Sequence, residues 1–301
     1  MSELQKRVAS SVVLLVLGLL GYFLLDWVSG YFQGIIALCI LMLIFARLGY
    51  EWSFLVPAEN SHKKIPYLRF LLPVIVSGIY VVFFLLADHI LFMDFYYGAA
   101  DDIFTPLIIC IFSFIVLLHV ISSFVRYFRS GYTDHPCFVA IAGVAYITLA
   151  GLGLTAMWQF TNPFTDLYMN PYLPYYFMAL VVIADTAAYF GGKKWGKHKL
   201  CPSISPGKTW EGFLSGFVAV IVVCLLCIFP GSLMKIDDLI VVPCIVLAAA
   251  VGDLYISLLK RRSGLKDVAS LIPGHGGLLD RLDSHLMVFA VFAPVFFWIH
   301  Y

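Results

Sequence analysis

Charge is scarce in this chain. Only 12% of its 301 residues are Asp, Glu, Lys or Arg, while 62% are apolar and the mean hydropathy is +0.95. A soluble globular chain carries roughly a quarter of its residues as charges. The composition therefore excludes the soluble classes and requires a polytopic membrane protein. Cysteine supplies no paired framework. The seven cysteines (Cys39, Cys110, Cys137, Cys201, Cys224, Cys227 and Cys244) lie mostly inside apolar runs. Cys224 and Cys227 have redox or zinc spacing, but no second ligand pair follows, so they read as small buried hydrophobes. A net charge of +1 gives no ground for a nucleic-acid partner. There is no obvious internal repeat and no low-complexity segment. No clear small-residue cleavage site separates Lys6-Arg7 from Asp26, so the first apolar run reads as a retained span and not a signal peptide.

What the chain has is apolar length. Nine runs are long enough, or nearly so, to cross a bilayer: 8–25, 31–46, 68–87, 103–125, 137–158, 171–190, 212–229, 239–259 and 285–301. The chain reads as an all-α membrane protein of about nine transmembrane helices. It forms a single integral-membrane domain over 1–301, with spans one to five in 1–170 and spans six to nine, with their loops, in 171–301. Nine spans place Lys6, Arg7, Arg47, Lys63, Lys64, Arg69, Arg126 and Arg129 on one side. The loops after spans six and eight add ten more cations, giving 18 of the 19. The other side has only Lys235, among eight aspartates. The positive-inside rule then puts the N-terminus in the cytoplasm and the C-terminus outside.

The scarce charge is concentrated between Gly252 and Ser284. Asp253, Asp280 and Asp283 there suit a divalent metal, and Lys260, Arg261, Arg262, Lys266 and Arg281 suit phosphates. Asp280 and Asp283 are three apart, which places both on one face of a helix. The run Pro273-Gly274-His275-Gly276-Gly277 lets backbone approach a ligand. His275 itself reads equally as ligand, phosphate donor or turn residue.

A second concentration follows span six. Asp185 lies near the end of an apolar run, where an ionisable group needs a partner or a ligand. Ser205-Pro206-Gly207-Lys208-Thr209 ends like a Walker A loop, but Pro202 stands where its first glycine belongs. A Gly-Lys-Thr turn opening a helix still holds phosphate through N–H groups, the helix dipole and the lysine. Ser205, Lys208, Thr209 and Glu211 are the candidates. Lys193, Lys194, Lys197 and Lys199 are accounted for by topology, and His119 by packing within span four.

Ser257-Leu258-Leu259-Lys260-Arg261, Lys266-Asp267-Val268-Ala269, Ile272-Pro273-Gly274-His275-Gly276-Gly277 and Leu278-Leu279-Asp280-Arg281-Leu282-Asp283 form a 27-residue pattern. It resembles the signature of the phosphatidate cytidylyltransferase (CDP-diacylglycerol synthase) family. Asp185 and Ser205–Gly212 resemble the same family, so the likeness covers about Asp185 to Ser284. The resemblance implies transfer of CMP from CTP to phosphatidate at the cytoplasmic face of a bacterial inner membrane, giving CDP-diacylglycerol and pyrophosphate. It implies Mg2+, with room for a second cation, on Asp253, Asp280 and Asp283, with Asp185 in support. Lys208, Lys260 and Arg261 would hold triphosphate or lipid phosphate. Lys266, His275 and Arg281 would bind phosphate or order the loop, and Ser205 and Ser257 would donate to phosphates. Thr209, Glu211, Gly276 and Gly277 complete the substrate-binding set. Membrane lipids and a homodimeric partner are also implied.

One position departs. The family usually carries an acidic residue before the signature serine, where this chain has Ile256. Its loss predicts altered metal affinity, a shifted substrate or weak turnover. Two other readings stay open: a cytidylyltransferase for another lipid phosphate, such as an isoprenoid or ether lipid, and a non-catalytic or transport homologue with an anion pocket. A CDP-alcohol phosphotransferase is disfavoured, because the chain has no Asp-Gly pair.

Overall fold

The computed structural model describes residues 30–57, 67–79, 82, 104–130, 135–159, 173–228, 239, 241–269 and 276–300. These fold as helices with one short hairpin. In chain order they are α1 (Gly30–Trp52), α2 (Leu68–Ile79), α3 (Phe104–Ser130), α4 (Pro136–Gln159) and α5 (Leu173–Trp195). Strands β1 (Lys199–Cys201) and β2 (Ser205–Thr209) come next, then α6 (Trp210–Ile228), α7 (Val241–Arg262) and α8 (Leu279–His300). Segments of α4, α5, α6 and α7 are each long and apolar enough to cross a membrane, and the chain is an integral membrane protein. The first expected span, 8–25, lies outside the described residues.

Two expectations change. The second span looked short at 31–46, yet α1 continues to Trp52. An apolar window stops at Arg47, but helical backbone does not. The block Ser205–Thr209 reads in the sequence as a turn opening a helix, yet it is a strand paired antiparallel with β1, Lys199 opposite Thr209 and Cys201 opposite Ser205. Helix α6 begins directly after it. Thr209 caps it, its Oγ1 accepting the Gly212 N–H at 3.1 Å.

One apolar core joins both halves of the sequence. Trp52 of α1 is 1% exposed and its indole N–H donates to the Val139 carbonyl at 2.9 Å. It fills the space beside Gly143, where a Cβ would lie 2.1 Å from the indole nitrogen. Trp52 packs in turn on Tyr146 and Tyr255, with ring centroids 5.7 and 6.3 Å away, and His119 meets Tyr255 edge-on. Helix α8 lies against α3, α4 and α7, and α5 runs along α6. Small residues permit this close approach. A Cβ on Gly212 or Gly216 would lie 2.6 or 2.7 Å from a backbone oxygen of α5.

The end of α7 closes in a Schellman turn. Leu265 N–H bonds Lys260 O at 2.8 Å, Gly264 N–H bonds Arg261 O at 3.2 Å, and Gly264 takes φ +69°. Lys260, Arg261 and Arg262 occupy its last turn, where cations complement the helix dipole.

Candidate active site

A cleft of about 730 Å³ opens where α5, the hairpin, α6, α7 and α8 meet. Its lining includes Asp185, Ser205, Lys208, Thr209, Asp253, Asp280, Arg281 and Asp283. Two stretches far apart in sequence therefore share one site. Ala184, Ala188, Gly216, Val246 and Ala249 supply an apolar wall on the helices.

The crossing of α7 and α8 brings the acids together. Gly252 has no room for a side chain: a Cβ there would lie 2.6 Å from both Asp283 O and Met287 Cβ. That contact sets the next residue, Asp253, beside Asp283, close enough for the two carboxylates to repel, and Asp185 repels Asp253 from the α5 side. Lys208 answers them, its Nζ 2.5 Å from Asp253 Oδ2. Ser257 Oγ donates to the other Asp253 oxygen at 3.3 Å. Ser257 thus orients Asp253 and is not among the residues lining the cleft.

Asp280 has different work. Its Oδ1 meets Lys260 Nζ at 2.9 Å, and its Oδ2 accepts the N–H groups of Val268 and Gly277, each at 2.9 Å. The pair is largely buried, at 12% and 6% side-chain exposure. Both oxygens are therefore engaged in tying the loop after α7 to the start of α8. Gly276 sits at φ +79°, where a Cβ would meet Asp280 Oδ2 at 2.8 Å.

Other expected groups serve as supports. Arg261 Nε donates to Ile204 O at 3.3 Å and pins the hairpin turn to α7. Glu211 accepts Lys197 N–H at 3.1 Å and His198 N–H at 3.2 Å, and faces His198 Nδ1 at 2.6 Å. It shapes the turn leading into β1. Lys266 is exposed and away from the cleft lining. His275 lies outside the described residues.

Sequence reasoning passed over three residues. Topology alone accounts for Lys193 and Lys199 in the sequence, yet both line the cleft. Only the α5 end and the β1 register reveal this. Glu51 belongs to no motif in the sequence. It is fully buried, and its carboxylate accepts the Leu278 and Leu279 N–H groups at 3.0 and 2.7 Å. Ile256, by contrast, is fully buried in the apolar core and does not line the cleft, so its replacement of an acid removes no carboxylate from the cleft wall.

Among the described residues no three His, Cys, Asp or Glu side chains gather closely enough to enclose an ion. Magnesium is usually held by one or two carboxylates, waters and substrate phosphates. Asp253 and Asp283 share one wall of the cleft, with Asp253 28% exposed to it, and fit that donor set. Asp280 does not: it is only 6% exposed, and besides Lys260 it is held by two backbone N–H groups, whereas Asp253, 28% exposed, is held by side chains alone.

Residues 5–299 match the family model described as the cytidylyltransferase family. A phosphatidate cytidylyltransferase of Haemophilus influenzae is 39% identical over 140 residues, covering 44% of this chain and 49% of its own length. YnbB, an uncharacterized protein of Escherichia coli, is 38% identical over 145 residues, 48% of this chain and 47% of its own length. A phosphatidate cytidylyltransferase of Staphylococcus aureus is 37% identical over 178 residues, 58% of this chain and 63% of its own length. The chain spans about half the length of the curated relatives it matches.

Proposed function

The chain belongs to the cytidylyltransferase family, and from that membership we propose that it transfers CMP from CTP to phosphatidate, giving CDP-diacylglycerol and pyrophosphate for phospholipid synthesis. The observation that carries this reading is the cleft itself. It gathers Lys193, Lys199, Lys208 and Arg281 opposite Asp185, Asp253 and Asp283, beside an apolar wall of membrane helices. A soluble polyanion and a lipid phosphate need such a meeting place.

The phosphatidate phosphate oxygen attacks the α-phosphorus of CTP, the bond from that phosphorus to the bridging oxygen breaks, and pyrophosphate leaves with the electron pair. The nucleophile is already anionic, so no strong base is required. The protein's task is to hold two anions in line and neutralise them. Lys193, Lys199, Lys208 and Arg281 bind phosphate oxygens. Ser205 adds a hydroxyl donor at the hairpin. Asp253 and Asp283 would hold a magnesium ion, with Asp185 behind them, and the ion would supply charge neutralisation to the reacting phosphates. Lys260, Arg261, Glu211 and Asp280 keep the hairpin and the start of α8 in place.

The cleft faces the cytoplasm of a bacterial inner membrane in this reading, with nine spans and the C-terminus outside. The support is the one-sided placement of 18 of 19 cations. A reporter fused after Tyr301 is expected to be active only outside, and activity in the cytoplasm would overturn the orientation. The family resemblance also leads us to propose a homodimer. The reaction is tested with purified protein, CTP, Mg2+ and phosphatidate in mixed micelles. Pyrophosphate release that requires phosphatidate supports it; release that responds instead to another lipid phosphate reassigns the acceptor, and CTP binding without turnover leaves only an anion-binding protein.

A further inference from the structure

We propose that Glu51, on α1, is a positioning residue for the reaction: its buried carboxylate is the N-terminal cap of α8 and sets the direction in which Asp283 and Arg281 enter the cleft. The inference rests on the reaction proposed above.

The first turn of a helix leaves its N–H groups without partners inside the helix. They are usually met by a nearby Ser, Thr, Asp or Asn. At α8 the capping position is Leu278, whose carbonyl accepts the Leu282 N–H at 3.1 Å. A leucine side chain accepts nothing. The acceptor comes instead from a residue 227 positions earlier: Glu51 takes the Leu278 N–H at 3.0 Å and the Leu279 N–H at 2.7 Å. Arg47, one turn back on α1, donates to Glu51 Oε1 at 2.9 Å and holds the carboxylate in place. The negative charge also lies at the positive end of the α8 dipole.

The neighbouring glycine is shaped to this cap. A Cβ on Gly277 would lie 2.4 Å from Glu51 Oε2 and 3.0 Å from Oε1. Gly277 N–H in turn bonds Asp280. Two carboxylates, one from α1 and one from within the turn, therefore fix the same few residues from opposite directions. Asp283 follows one turn later, where it faces Asp253. A shift confined to the first turn of α8 would redirect Asp283 and Arg281 together, because Leu286, Met287 and Val288 further along stay packed in the core.

The test uses the full-length protein in detergent, comparing Glu51→Gln, Glu51→Asp and Gly277→Ala with wild type. Glutamine keeps the length but offers one acceptor oxygen for two N–H groups. Misplacement of reacting groups by about 1 Å can lower rates ~100-fold, so kcat should fall at least ~30-fold in Glu51→Gln while KM for CTP changes less than ~3-fold. Glu51→Asp should recover part of kcat. Gly277→Ala, which keeps Glu51 but pushes its carboxylate aside, should reproduce the kcat loss. Independently of activity and without magnesium, amide exchange at Leu278 and Leu279 should accelerate at least ~10-fold in Glu51→Gln, with the rest of α8 unchanged. Wild-type kcat and wild-type protection in either Glu51→Gln or Gly277→Ala would overturn the assignment. If Glu51→Gln does not fold, Gly277→Ala decides alone. If wild type itself shows no turnover, the reaction is wrong, and amide exchange still decides the cap.

Discussion

Lys208 Nζ lies 2.5 Å from Asp253 Oδ2, so the hairpin strand and α7 are joined by an ion pair inside the cleft. The side chains are 24% and 28% exposed, so water and ligand reach both. Such a partly exposed pair adds little to stability, and in the proposed reaction its lysine meets the CTP phosphates. Lys208→Met should lower kcat/KM for CTP by ~100-fold or more, with Lys208→Arg retaining part of it. A melting temperature unchanged within a few degrees would locate the effect in the site.

Asp280 and Asp283 stand three residues apart and should respond differently. Asp280→Asn weakens a buried pair with Lys260 and the cap on Gly277. Loss of one partner of a buried pair costs about 3 kcal/mol, so melting should fall by roughly 6–12 °C, with activity falling alongside. Asp283→Asn should leave melting near wild type and remove magnesium-dependent turnover. Thermal melting and a magnesium titration on both variants check this. Equal melting temperatures for the two would contradict the division of roles.

Gly252→Ala tests the helix crossing. The added methyl meets Asp283 O and Met287 Cβ, each at 2.6 Å, and neither is the free end of a flexible chain. Helices α7 and α8 must part, at about 1–3 kcal/mol. Turnover should drop at least ~10-fold because Asp253 moves away from Asp283. Full activity would mean that their spacing is not critical.

Much of this was legible in advance, and the exceptions have physical causes. The apolar runs and the grouping of Ser205–Gly212 with Gly252–Ser284 follow from hydropathy and charge, which are local properties. The hairpin was missed because Ser205-Pro206-Gly207-Lys208-Thr209 has no apolar alternation and reads as turn chemistry. Lys193 and Lys199 carry the same charge as their neighbours, and only the helix end and strand register distinguish them. Glu51 reads locally as no more than the partner of Arg47 four residues earlier, because the two amides it caps are more than 200 residues away. A local motif records side-chain types at fixed spacing, not a backbone group met by tertiary packing.

Ile256 is the position where the signature departs, and the structure alters what that means. It is fully buried among apolar neighbours. Ile256→Glu should therefore place an unpaired carboxyl in the core and destabilise by about 3 kcal/mol or more, without improving turnover. A melting curve and a turnover assay on the variant check it. A stable variant with higher turnover would show that an acid there reaches the site.

CMP transfer to lipid is read most directly by following the α-phosphate. Purified protein is given phosphatidate, Mg2+ and CTP labelled at that phosphorus, and the chloroform-soluble fraction is counted against released pyrophosphate. Transfer in the cleft predicts one labelled lipid per pyrophosphate, with both products lost together in Lys208→Met and Asp283→Asn. Label that stays in water-soluble CMP or CTP while wild-type protein is folded and binds CTP would contradict it.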